Sequence, residues 1–323
     1  MANMNFPFPV FREQTAIALA YRNARYIADE VLPRTPVPSR EFTWLQYNRN
    51  EMFTIPETLV GRKGQPNEVE FGATEVAGSV RDWGLDDVVP NDDIDAANRM
   101  PGTYNPINRA VEGISELIAL DREKRCADLL FGLNTYPAAN RTTLSGTSQW
   151  SDYTNSDPYS AVQTALDGML MRPNIAVIGR LAWSKLRVHP KITAALAPSS
   201  NGNSATANAA GAPATAQAVA DLLELDRIYI GEGWVNTAKP GQTATMTRLW
   251  GKHMAFLHQN PIAGIRGGGI TFGYTAEYGT RVSGFMPEPK SGLRGGQRVR
   301  VGESVNEIVC ASDVGYFFQN VVA

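Results

Sequence analysis

Cysteine is almost missing from this chain. Two stand in 323 residues, Cys126 and Cys310, far apart and without a CxxC partner. That excludes a disulfide framework and suits a reducing cytoplasm, and both thiols are read as buried and inert. Histidine is nearly as scarce: His189, His253 and His258. The last two are five apart, not the four of a helical zinc pair, so each is read as structural. No apolar run approaches the ~20 residues of a membrane helix. The start, MANMNFPFPVF, lacks a basic segment ahead of a long apolar one, so no secretory signal is expected. Charge of one sign is missing as well. A formal net charge of −2 argues against a dedicated nucleic-acid binder.

Catalytic motifs are also lacking. There is no Gly-x-Ser-x-Gly elbow. The glycines at 264, 267, 268, 269 and 273 lack the Lys-Ser/Thr of a P-loop and read as tight turns. Asn91-Asp92-Asp93-Ile94-Asp95 lacks the Gly and Glu that a calcium loop needs at positions six and twelve, and reads as a solvated acidic loop. No catalytic, cofactor-binding or metal-ligating residue is assigned, and no cofactor is expected.

What is present is a globular chain, 43% apolar and 19% charged, long enough for one large domain or two. Its longest periodic stretch is Asn105–Leu133. Asn105 is a cap, Pro106 suits the first helical position, and Ile107, Val111, Ile114 and Ile118 set an apolar stripe. Asp121 and Arg125 are spaced to pair on the wet face. Ahead of it, residues 1–50 read as an arm: one helix from Glu13 to Leu32, then an extended run enforced by Pro33, Pro36 and Pro38.

Residues 51–90 read as a long hairpin. One strand runs Met52–Val60, the turn is Gly61 to Asn67, and the return strand starts at Glu68 and continues through Val76, Val80 and Trp83. A lone ribbon is marginal in water, so it needs a surface. Between Glu51 and Asp95 eleven carboxylates face three cations. From Arg281 to Arg300, Arg281, Lys290, Arg294, Arg298 and Arg300 face only Glu288. An acidic ribbon and a basic strip in one chain are free to meet in an assembly.

After the long helix, Asp157-Pro158 opens another helix, Ile175–Ile178 is a short buried strand, and 198–219 is a small-residue surface loop. Residues 269–323 return to strands.

This order of parts resembles the tailed-bacteriophage major capsid proteins of the Hong Kong 97 type. Three phrases are similar to that family: Trp150-Ser151-Asp152 with Ser156-Asp157-Pro158; Arg172 to Val177 leading to His189-Pro190; and Arg300-Val301 through Asp313 to Tyr316. The resemblance implies an α+β fold with an N-terminal arm (1–50) and an E-loop hairpin (51–90). It further implies a peripheral (P) domain begun by 91–165 around a spine helix 105–133, an inserted α/β axial (A) domain (166–268), and P-domain return strands (269–323).

The function implied is a non-enzymatic head protein that self-assembles into an icosahedral shell around double-stranded DNA. Its partners would be copies of itself in pentamers and hexamers, a separate scaffold protein, a portal, a decoration protein, and packaged DNA touched without sequence preference, with no membrane. It would be assembled in the bacterial host cytoplasm and reside in the virion. Some members cross-link an E-loop Lys to a neighbour. Lys63 stands at the tip, but no distinct catalytic carboxylate accompanies it, and neither cross-linking nor cleavage of this chain is expected. The candidate intersubunit residues are Lys63, Glu68 and Glu70 on the ribbon and Arg281, Lys290, Arg294, Arg298 and Arg300 on the strip. Two alternatives stay open: an encapsulin-type bacterial compartment on the same fold, and a cytoplasmic α+β enzyme with a dispersed site.

Overall fold

The computed structural model describes residues 8–20, 23, 25–47, 54–69, 73–99, 105–196, 213–260 and 269–323. Among the described residues four strands precede the long helix: β1 (Arg34–Pro36), β2 (Glu41–Tyr47), β3 (Ala73–Ser79) and β4 (Arg81–Pro90). Six follow it in the middle of the chain: β5 (Arg141–Thr143), β6 (Ile175–Gly179), β7 (Arg227–Gly231), β8 (Trp234–Asn236), β9 (Met246–Arg248) and β10 (Met254–Leu257). The last four are β11 (Gly273–Glu277), β12 (Val282–Glu288), β13 (Gly296–Val309) and β14 (Gly315–Gln319).

The first sheet is built on β13. β4 lies antiparallel along one side of it, and β11 and β12 share the other, with β1 parallel to β11 at the edge. Along β13, Val299, Val301, Glu303 and Val305 point inward at every second residue, as the pleat requires. The second sheet runs β5-β14-β10-β6-β7, with β6 and β7 parallel. β6 is buried over its whole length because helices cover one face and the long helix's end covers the other.

The long helix is Pro106–Leu130. The Asn105 side chain accepts from the backbone N–H groups of Ile107 and Asn108 at 3.0 and 3.2 Å, and Pro106 occupies the first turn. Its first half buries Val111, Ile114 and Ile118 against Val299 and Val301 of the first sheet. Its last turns bury Cys126, Ala127 and Leu130 with Val177, Ala255 and Phe317 of the second. One helix therefore closes two cores.

Four expectations change. The arm is two helices, Arg12–Ala20 and Ala28–Val31, not one; the Asn23 side chain takes the N–H of Arg25 and turns the chain between them. Residues 54–60 carry no ladder. The partner of β3 is β2, which the sequence reading placed in the arm, so the ribbon is rooted at 41–47 and 73–79. Met52, Glu70 and Phe71 lie outside the described residues. The run past Val80 is not ribbon but β4, held by β13 of the same chain. Finally, Asn91–Arg99 is a helix with Asp92 and Asp93 in its first turn, where the helix dipole favours carboxylates. Of the small-residue loop, 198–212 lie outside the described residues, as do Gly264, Gly267 and Gly268, and Thr215 caps a helix at Ala216–Leu222.

Candidate functional site

The stretch 54–69 holds Lys63 and Glu68 and has every residue exposed. Its tip is a turn in which Gly64 N–H donates to Gly61 O at 2.8 Å. Asn67 Nδ2 donates to Glu57 O at 2.9 Å and ties the two limbs. Ile55 is 92% exposed and Leu59 84%, with Val60 and Val69 also in water. Ile55 and Leu59 would each gain ~1.5–3 kcal/mol on full burial, so a surface that covers this loop would be favoured. Neither Lys63 nor Glu68 makes an ion pair among the described residues.

A second projection is the turn between β12 and β13. Gly292 and Gly295 take left-handed backbone angles, φ 58° and 72°, and hold Leu293 out in water. The turn is fastened to the helix at Asn91, whose Nδ2 donates to Arg294 O at 2.8 Å.

The basic strip is mostly satisfied within its own chain. Arg300 donates from Nε and Nη2 to both oxygens of Asp86 at 2.6 Å each, across the paired strands β13 and β4. Arg298 donates to Glu288 Oε2 at 2.9 and 2.6 Å, and Arg294 to Asp92 at 2.9 Å. Arg281 is buried and bound to Glu303. Lys290 makes no ion pair among the described residues. Charge complementarity that the sequence placed between subunits is thus partly an internal matter: acidic β4 pairs with basic β13 because the two strands are neighbours in one sheet.

Beneath the projections, buried charge ties the arm to the frame. Glu303 accepts from Arg34 Nη1 at 3.0 Å and from Arg281 Nε and Nη2 at 3.1 and 2.9 Å. Burial alone would raise its carboxyl, and the Arg34 and Arg281 guanidiniums outweigh that and hold it below the usual range. Arg281 also donates to Ala18 O at 3.0 Å, satisfying the end of the first helix. Arg122, 2% exposed, contacts Asp29 and donates to Leu32 O at 3.3 Å and Thr275 Oγ1 at 3.0 Å. Asp29 is brought down to about 2, since Arg122 and Arg34 more than offset its partial burial. The next residue, Glu123, is fully buried and accepts from Ile27 N at 3.0 Å, Ala28 N at 2.8 Å and Trp250 Nε1 at 2.6 Å. Burial raises its carboxyl above the ordinary value, only partly countered by those N–H donors.

The groups with potential chemistry are occupied structurally. His189 is buried; Lys191 N–H donates to its Nδ1 at 3.2 Å, so Nε2 carries the proton to Ser156 Oγ at 3.0 Å. Asn320 N–H likewise donates to His253 Nδ1 at 3.0 Å. Burial pushes the buried Cys126 thiol far up and the half-buried Cys310 thiol to about 12, so neither is a thiolate at neutral pH. Among the described residues no group of His, Cys, Asp and Glu is arranged to hold a metal ion.

Comparison with known proteins adds an independent line. Residues 107–231 match the family described as phage major capsid protein E. Over 319 residues the chain is 50% identical to the major capsid protein of Pseudomonas phage JBD67, covering 99% of each. A phage-related protein of Bordetella bronchiseptica, solved by crystallography, is similar over 98% of both chains, with a TM-score of 0.72 at 19% identity. The capsid structure of cyanophage P-SCSP1u gives a TM-score of 0.58 at 12% identity, over 99% of this chain and 93% of that one.

Proposed function

This chain belongs to the bacteriophage major capsid proteins, and from that premise we propose that it builds the icosahedral head of a tailed phage around double-stranded DNA. Its α+β fold is of the Hong Kong 97 type. A relative at 50% identity that is a phage capsid protein favours this over the compartment shell and the enzyme. The observation that carries the proposal is the loop 54–69: apolar side chains held in water on a frame tied down by ion pairs. Such a loop has a use when a second copy covers it.

In this reading the chain has no catalytic role. It forms pentamers and hexamers in the host cytoplasm with a separate scaffold protein, a portal and a decoration protein, and becomes part of the virion. Lys63, Glu68, Glu70 and Lys290 are the charged residues at contacts between copies; Arg294, Arg298 and Arg300 act there while also holding their internal partners. Contact with DNA is through phosphates and indifferent to sequence. The division into arm, E-loop, P domain and A domain follows the same proposal, with the ribbon's root moved back to 41–47. Light scattering on the purified chain, with scaffold supplied, tests it. Particles of megadalton mass are expected, and a stable small oligomer under all such conditions would overturn the shell.

A further inference from the structure

Glu123 sits where a helix of this kind normally buries an apolar residue. It is fully buried in the second half of the long helix and has no cation within ion-pair distance among the described residues. Its neighbour Arg122 turns the other way, to Asp29 and Leu32 O. A carboxylate buried without a countercharge is expensive, so its compensation must come from its hydrogen bonds. All of them are to neutral N–H groups, and two are consecutive backbone groups of the arm, Ile27 and Ala28.

Those two N–H groups open the arm helix Ala28–Val31, which has no capping side chain of its own: Ile27 stands at the cap position. Glu123 supplies from another element what an N-cap Asp or Ser would supply locally. Arg122 meets the other end of the same helix at Leu32 O. Adjacent residues of opposite sign thus grip the two ends of one short helix, each on the side its dipole favours. The remaining Glu123 contact is Trp250, buried in the core of the second sheet and packed on Gly231 at its edge. Immediately after the clamp, Arg34–Pro36 joins the first sheet.

We infer that Glu123 is the positioning residue that sets the arm's register on the long helix, and that it couples the arm to the second sheet through Trp250. The arm's role in assembly rests on the shell proposed above; the docking itself does not.

The test is hydrogen exchange on the whole chain, followed by mass spectrometry of peptides spanning residues 26–32. In E123Q one acceptor oxygen is lost, and exchange there should quicken by about tenfold or more, while peptides from β6 and β13 keep their protection. W250F, which keeps the ring and loses the donor, should give a smaller change at the same peptide. Unchanged exchange in E123Q overturns the inference. So does uniform loss of protection throughout the chain, which would make Glu123 a folding residue only. Particle yield should fall in E123Q; if the arm loosens and yield holds, Glu123 does not position the arm for assembly. A wild type that forms no particles would instead refute the shell and leave the exchange result standing.

Discussion

Arg300 and Asp86 face each other directly across β13 and β4, joined by two parallel hydrogen bonds of 2.6 Å. The pair is part-exposed, so solvent screens it, and the bidentate geometry rather than raw charge makes it worth having. D86N and R300Q should each cost about 0.5–1 kcal/mol in urea unfolding, with the loss smaller at high salt. The exchange D86R/R300D should recover part of it.

Changes on the exposed loop should separate folding from assembly. I55D and L59D remove apolar surface that is almost wholly in water, so subunit stability should stay within about 0.5 kcal/mol of wild type. Particle formation, followed by light scattering, should be lost. Reversal of Glu68 and Glu70 to Lys should alter the salt dependence of assembly in the same assay.

The long helix should answer the other way. Ile114 is buried against Val299 and Val301, so I114A should cost ~2–5 kcal/mol of subunit stability. I114D should abolish folding and assembly together, seen as loss of circular dichroism before any particle assay.

Acid should weaken the second sheet's helical cover through His189. Its burial comes first and lowers its affinity for protons, Asp157 opposes that, and Lys191 adds to it. The folded value therefore lies below the unfolded ~6.5. Between the two values the unfolded chain holds more protons, so stability is complete above ~6.5 and falls as pH drops through the folded value. H189Q should flatten that part of the stability profile in chemical denaturation between pH 7 and 5.

The long helix was readable because its cap, its first-turn proline and its stripe are all local in sequence. The alternation of Val299, Val301 and Val305 along β13 is local in the same way. The ribbon was misplaced because the partner of 73–79 lies beyond the whole loop, at 41–47, and strand pairing over that distance leaves no local mark. The Asp86–Arg300 pair is likewise invisible until the strands are laid side by side. One signal was there to use. Arg122 and Glu123 interrupt an apolar stripe between Ile118 and Cys126, and charge at an inward position asks for buried partners. The arm supplied them.

The union of β4 with β13 has a mechanical consequence. The exposed loop returns through β3 and Val80 straight into β4, and β4 is zipped to β13 from Arg81 to Pro90. If a neighbouring copy covers the loop as proposed, a pull on it would reach β4 through β3 and load it along its own axis. The ladder's hydrogen bonds stand across that axis, so they are loaded side by side rather than peeled one at a time. Strain gathered at the tip would then be spread over a whole strand before it reached the long helix beneath.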